Sequence, residues 1–254
     1  MTVPATPAPD AGLARLWLRG LGSRRDTAHR RLFVFPHAGA GAGAYRLAEH
    51  VPDTVEVCTV QLPGREDRFG EDALTSTDAV VTALAPLIAG RTELPYAFFG
   101  HSMGALVAFE VARGLRDRGA ALPGRLFLSA MRAPGVPDRE PLHHLPDDAL
   151  LARLAADELA GLDPELQELL LPLMRADLTL CETYAHRAAA PLPCPFTVLH
   201  GTEDDTVGEA DLAGWREHTA AGCDTHRFPG GHLYVRDAQQ QLARTITRTA
   251  PAWA

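Results

Sequence analysis

The segment Gly100-His101-Ser102-Met103-Gly104 follows the apolar run Pro95-Tyr96-Ala97-Phe98-Phe99 and leads into a helical pattern at Ala105-Leu106. A Gly-x-Ser-x-Gly turn between a strand and a helix lifts a serine hydroxyl onto a sharp corner, the placement nucleophilic hydrolases use. Glycine on either side answers a steric need, because a serine held in a strained backbone conformation tolerates only small neighbours two positions away. Leu106, Phe109 and Val111 give the following helix an apolar face, and its N-terminus favours negative charge beside Ser102. The competing reading is a glycine-softened loop in which the serine is only a cap. Two later segments supply the partners a serine nucleophile needs, in the chain order acid, then histidine. The strand pattern Pro195-Phe196-Thr197-Val198-Leu199-His200 ends in Gly201-Thr202-Glu203-Asp204-Asp205, from which an aspartate can turn back toward the serine, although any acidic turn after a strand reads this way. Arg227-Phe228-Pro229-Gly230-Gly231-His232-Leu233-Tyr234 puts a histidine after another strand, in a flexible turn one helix downstream of the acidic loop. His143 and His144, in a proline-rich loop, read as surface or packed histidines.

Acyl transfer also needs hydrogen-bond donors for an oxyanion. One is the amide of Met103, the residue after the nucleophile; the second belongs in the loop after an early strand, Phe35-Pro36-His37-Ala38-Gly39-Ala40-Gly41-Ala42-Gly43-Ala44-Tyr45, whose small residues let backbone amides face a substrate. Gly39, Gly41 and Gly43 also invite a dinucleotide-binding reading. That reading fails because the third glycine comes one residue early and the next strand ends in Val60-Gln61-Leu62-Pro63, where a ribose-binding acid is wanted.

Composition removes other chemistries. All 24 basic residues are arginine, so a P-loop lysine, a Schiff-base lysine and a serine–lysine dyad are excluded. The chain has no asparagine and hence no N-glycosylation acceptor. A net charge of −8 without long acidic blocks argues against nucleic acid as a partner. Cys58, Cys181, Cys194 and Cys223 lack metal-type spacing and read as small reduced residues, so no metal and no cofactor is expected. No segment has signal-peptide or membrane-spanning character, which predicts a cytoplasmic protein without membrane contact.

These residues require elements to hold them. At 254 residues and 46% hydrophobic the chain suits a single domain, residues 1–254, carrying an insertion. Residues 1–12, rich in Pro, Ala and Thr, read as disordered, followed by a weak strand around Trp17 and a polar turn over 20–26. Apolar runs predict strands at 32–35, 55–61, 96–99, 126–130, 196–200 and 225–228. Helical patterns fall near 44–50, 75–90, 104–118, 208–221 and 236–249. This alternation predicts an α/β fold, a mostly parallel sheet covered on both faces. From about Leu145 to Tyr184 the pattern is helical without a strand, and leucine is crowded beyond one face. Such a segment is either a helical insertion lining an apolar cavity or a pair of ordinary core helices.

Taken together, Phe-Pro-His-Ala-Gly at 35–39, Gln-Leu-Pro-Gly-Arg at 61–65, Gly-His-Ser-Met-Gly-Ala at 100–105, Met174-Arg175-Ala176-Asp177, Gly-x-x-Asp at 201–204 and Phe-Pro-Gly-Gly-His at 228–232 resemble the type II thioesterases that serve polyketide synthases and nonribosomal peptide synthetases. The resemblance runs from about Trp17 to the C-terminus. It implies an α/β-hydrolase with a helical lid at about 140–186, removing aberrant acyl groups held as thioesters on the phosphopantetheine arm of acyl or peptidyl carrier proteins. It assigns Ser102 as nucleophile, His232 as base, Asp204 as its orienting acid, and the amides of Ala38 and Met103 as the oxyanion hole. The chain departs from the family's usual pattern at Ala40, where a second glycine is usual, and at Asp205, where proline is frequent. Alanine in a left-handed conformation at position 40 would cost about 1–2 kcal/mol, and Asp205 stands as a substitute for Asp204. The alternatives are a small-molecule esterase or lactonase on the same fold, or a binding scaffold with a vestigial triad. A cyclising release domain is disfavoured on the expectation that the chain begins at Met1 and carries no attached carrier domain. Arg113, Arg116, Arg118, Arg125 and Arg132 offer basic charge for an acidic carrier helix, solvated surface charge being the plainer reading.

Overall fold

The computed structural model describes residues 11–24, 26–136, 141–154, 159–250 and Trp253. Seven strands form one sheet in the order β1-β3-β2-β4-β5-β6-β7. They are β1 (Leu18–Arg19), β2 (Arg30–Phe35), β3 (Val55–Val60), β4 (Tyr96–His101), β5 (Leu126–Ser129), β6 (Phe196–Gly201) and β7 (Cys223–Phe228). Only β1 runs antiparallel, pairing Leu18 with Val60 and Arg19 with Thr59; each remaining pair is parallel.

Side chains alternate across the central strands as the two-residue period requires. Phe33, Phe35, Phe98, Leu126 and Leu128 join the core under α2 (Thr77–Ala89) and α3 (Met103–Asp117). Leu32, Val34, Ala97, Phe99 and Phe127 join the opposite core, closed by α7 (Gln239–Arg248) and Trp253. With both faces covered, β3, β4 and β6 are buried at every position, so apolar residues occupy both faces of each and only a few polar ones, Glu56, Thr59, Thr197 and His200 among them, interrupt the run.

The expected strands and the helices near 75–90, 104–118 and 236–249 are present within a few residues of their predicted bounds. Four expectations differ. The predicted disorder falls mostly on 1–10, outside the described residues, while Ala11 and Gly12 open α1 (Ala11–Trp17), anchored by buried Ala14 and Trp17. The predicted strand around Trp17 is only the two residues that follow it. The predicted helix at 44–50 is instead two 3-10 turns, Ala42–Ala44 and Leu47–Glu49, separated by extended Tyr45 (φ −116°). The Tyr45 hydroxyl lies 2.7 Å from His37 Nδ1, a buried contact that overrides local helix propensity. The predicted helix at 208–221 divides into α6 (Glu209–Ala213) and a 3-10 turn, Gly214–His218. There the buried Trp215 donates its indole N–H to the Met131 carbonyl at 2.7 Å.

Between β5 and β6 stand α4 (Asp147–Leu154) and α5 (Pro164–Glu182), the latter opened by Asp163 accepting from the Glu165 amide and by Pro164 in the first turn. Leu150, Leu154, Leu159, Leu171 and Met174 form a separate small core against which Ala38 packs. Most of the crowded leucines of this stretch thus serve a cluster of their own, one that reaches the loop after β2, while Leu166 and Leu169 are exposed.

Candidate active site

Ser102 stands between β4 and α3 with φ 52° and ψ −124°, one of three described non-glycine residues with positive φ. Such a conformation costs on the order of 1–3 kcal/mol and persists only where its surroundings fix it. Here the Ser102 amide donates to the Ser129 carbonyl at 2.8 Å, and its own carbonyl accepts from Ala105 at 2.8 Å. The flanking glycines are forced by contact. A Cβ on Gly100 would sit 2.2 Å from the Gly104 carbonyl oxygen, and one on Gly104 would sit 1.9 Å from that of Phe35.

The acidic loop and the histidine turn are built against each other. Thr202 and Glu203 donate backbone amides to the carbonyls of Phe228 and Gly230 at 2.8 and 2.9 Å. His232 then lies between its two partners: Nε2 is 3.0 Å from Ser102 Oγ and Nδ1 is 3.0 Å from Asp204 Oδ2. The second oxygen of Asp204 accepts from the amides of Thr206 and Val207 at 2.9 and 3.0 Å. Burial acts to raise the Asp204 pKa, but the hydrogen bond and charge of His232, with those two amides, hold it below the usual carboxylate value. A fixed anion on Nδ1 leaves Nε2 free to accept a proton from Ser102. Asp205 is exposed and bonds with Thr206 at 3.4 Å; the carboxylate on His232 is that of Asp204.

Two more imidazoles lie behind this row. His101 is fully buried, its ring 5.4 Å from that of His232 and 5.7 Å from that of His37. Its Nδ1 is 2.7 Å from Ser129 Oγ, which is 2.7 Å from the Tyr234 hydroxyl, whereas Nε2 has no partner among the described residues. This chain joins the residue before the nucleophile to the residue two beyond the histidine. Burial, then the positive charge of neighbouring groups, lowers His37 to about 3 and drives His101 down as well, so both are neutral.

The residues expected to form the oxyanion hole face the same end of the sheet: Met103 opens α3, where helix amides have no intrahelical acceptor, and Ala38 lies in the loop leaving β2. The left-handed residue of that loop is Gly39 (φ 74°); Ala40 is not among the positive-φ residues, so the departure at position 40 carries no strain. The glycine-spaced stretch does not open an α-helix, and the Gly43 amide donates to the Glu66 carboxylate at 2.9 Å, an anion where a dinucleotide would bring its own.

Sequence reasoning left three groups of this site without a role. They are the His101–Ser129–Tyr234 chain, the His37–Tyr45 contact, and Asp177, which reaches the Ala38 loop from α5. Only the quoted motifs at 61–65 and 174–177 pointed to the last. Among the described residues no group of three or more His, Cys, Asp or Glu side chains could hold a metal ion, and no helix is long and apolar enough to cross a membrane. Of the arginines considered for docking, Arg113 is tied to Glu110 and the Arg187 carbonyl, Arg116 to Asp117 and the Ala190 carbonyl, and Arg125 to Asp224 and Thr197.

A parallel sheet with a serine on the strand-to-helix corner, and an acid and a histidine following later strands in that order, defines an α/β-hydrolase of the serine type. Residues 30–249 match the family model described as Thioesterase domain, and the chain belongs to that family. Linear gramicidin dehydrogenase LgrE of Brevibacillus parabrevis is 40% identical over 233 residues, spanning 87% of this chain and 88% of that protein. Thioesterase PikA5 of Streptomyces venezuelae is 38% identical over 253 residues, spanning 93% of this chain and 88% of that protein. The solved structure of the type II thioesterase BorB from the borrelidin biosynthetic cluster superposes with a TM-score of 0.82 at 34% identity, covering 92% of this chain and 95% of that one.

Proposed function

We propose that the protein is a type II thioesterase that hydrolyses acyl thioesters from the phosphopantetheine arm of acyl or peptidyl carrier proteins, clearing aberrant acyl units in polyketide or nonribosomal peptide synthesis. The observation that carries the reading is the unbroken row Ser102, His232, Asp204 at 3.0 Å spacing in a chain of the thioesterase family. His232 Nε2 takes the hydroxyl proton as Ser102 Oγ attacks the thioester carbonyl, and the amides of Ala38 and Met103 hold the oxyanion. The C–S bond breaks, the thiolate leaves with the proton from His232, and an acyl-serine remains. Water, deprotonated by the same nitrogen, then releases the acid and restores Ser102. A thiolate leaves readily, so deacylation is the slower step.

The helical segment of about 140–186 serves, in this reading, as a lid on a single domain. We place the protein in the cytoplasm, in keeping with its free cysteines. Oxidoreduction of the kind named for LgrE finds no support here, since the Gly39–Gly43 stretch meets Glu66 and opens no α-helix.

The test is to incubate the protein with acetyl-, propionyl- and longer acyl-carrier proteins beside the matching acyl-pantetheines and simple esters, following the acyl group by intact-protein mass. Faster clearance from the carrier, abolished in Ser102→Ala with its fold intact, is the expected result. Equal or better turnover of free esters would move the protein to the general esterases, and normal hydrolysis by Ser102→Ala would remove the serine mechanism.

A further inference from the structure

The small core of the insertion is joined to the sheet by a buried charge cluster that the triad chemistry does not use. Asp177, on α5, is fully buried. Its Oδ2 accepts from the Gly39 amide at 2.7 Å and from Arg65 Nη1 at 2.9 Å, and its Oδ1 accepts from Arg65 Nη2 at 2.8 Å. Arg65, only 3% exposed, also donates to the Ala40 carbonyl at 3.3 Å. One turn earlier on the same helix, Met174 Sδ covers Gly39 so closely that a Cβ there would lie 2.3 Å away. Gln61 completes the frame by accepting from the Ala42 amide at 2.7 Å and donating to the Arg65 carbonyl at 3.0 Å.

These bonds fix both peptide planes that meet at Ala38. The Ala40 amide donates to the His37 carbonyl at 3.1 Å, and in a trans peptide that carbonyl points opposite to the Ala38 N–H. On the other side, the plane between Ala38 and Gly39 is fixed by Asp177 through the Gly39 N–H. A buried ion pair is by itself a weak source of stability, and apolar residues of similar volume often hold a fold as well. They cannot accept the Gly39 hydrogen bond.

We propose that Asp177 is a positioning residue for the oxyanion hole: from the second helix of the insertion it aims the Ala38 N–H at the developing negative charge. The proposal rests on the thioesterase reading for the role of that amide. It follows that α5 cannot lift away from the sheet without loosening the hole, so substrate enters past other parts of the insertion.

The test is Asp177→Asn, checked for folding by near-ultraviolet circular dichroism. With an acyl-pantetheine substrate kcat falls by about 10²-fold, the scale of one lost oxyanion donor, while KM stays within about two-fold. Affinity for a trifluoromethyl ketone analogue, which forms a tetrahedral adduct on Ser102, falls with kcat; affinity for the non-hydrolysable thioether of the same acyl chain does not. The double variant Arg65→Met/Asp177→Leu removes both charges and keeps the fold. Slow turnover in it supports positioning, and wild-type turnover in it, or in a folded Asp177→Asn, overturns the proposal. If the wild-type protein hydrolyses no thioester, the thioesterase reading fails by itself. The proposal is then read from the rate at which a fluorophosphonate, whose phosphoryl oxygen needs the same amides, modifies Ser102, and equal rates in wild type and Asp177→Asn overturn it.

Discussion

At the scale of single residues, three histidine rings lie side by side, those of His37, His101 and His232. His37 and His101 are buried and neutral, the first lowered from 6.5 to about 3 by burial and then by the charges of Arg236, His232 and Arg65. In the unfolded chain both return to the ordinary histidine value. Over roughly pH 3–6.5 the unfolded chain therefore binds protons that the folded chain refuses, and stability rises with pH through that window. On acidification below about pH 6.5 each such histidine costs about 1.4 kcal/mol per pH unit. We expect the urea midpoint to drop between pH 7.5 and pH 5, and His37→Gln, which can still bond Tyr45, to show a shallower drop. An unchanged slope in the variant would mean that His37 is protonated in the fold. Of these groups, Ser102 and His232 were legible from their turns and order along the chain. His101 was legible only as a letter inside a motif, because its partners Ser129 and Tyr234 come from separate strands and loops with no shared spacing.

At the scale of elements, α3 lies so close to the end of β2 that the contact is backbone on backbone. A Cβ on Gly104 would lie 1.9 Å from the Phe35 oxygen and 2.6 Å from that of Pro36, just before the loop bearing Ala38. Gly104→Ala should therefore push helix and loop apart, lowering stability by roughly 2–3 kcal/mol as overpacking does. Its kcat should fall together with its thermal midpoint, and a variant with both unchanged would refute so tight a contact. Strands buried on both faces were readable because short, mostly apolar runs rich in β-branched and aromatic residues between turn residues suit a sheet interior. The helices at 44–50 and 208–221 were not, since the side-chain bonds of Tyr45 to His37 and of Trp215 to Met131 hold the chain in other conformations, and neither pairing is visible in the local pattern.

At the scale of the whole molecule, the two ends of the sheet do different work. Ser102, Asp204, His232 and the Ala38 loop all follow the C-terminal ends of parallel strands. At the other end Arg31 pairs with Glu56 at 2.7 Å, with side chains 6% and 1% exposed, and with Glu93 at 2.8 Å. Glu56→Gln leaves that guanidinium short of a buried partner and should cost about 3 kcal/mol or more in a denaturant titration. Because the pair lies across the sheet from the chemistry, kcat of the folded variant should be unchanged; a parallel loss would mean that the two ends are coupled. The fold class was readable from alternation of apolar runs and helical patterns. The tie between α5 and the Ala38 loop was not, since Arg65 and Asp177 are 112 residues apart and nothing local pairs them.

The strand order also decides how the sheet meets other chains. One rim is β1, only two residues long and preceded directly by α1. The other is β7, whose partly exposed run carries Asp224, His226 and Arg227. A second copy approaching the first rim finds almost no backbone to pair with, and one approaching the second must bury charge to gain a ladder. Neither rim is a template for strand stacking, so crowded copies of this protein are guarded against the edge-to-edge growth that ends in aggregates.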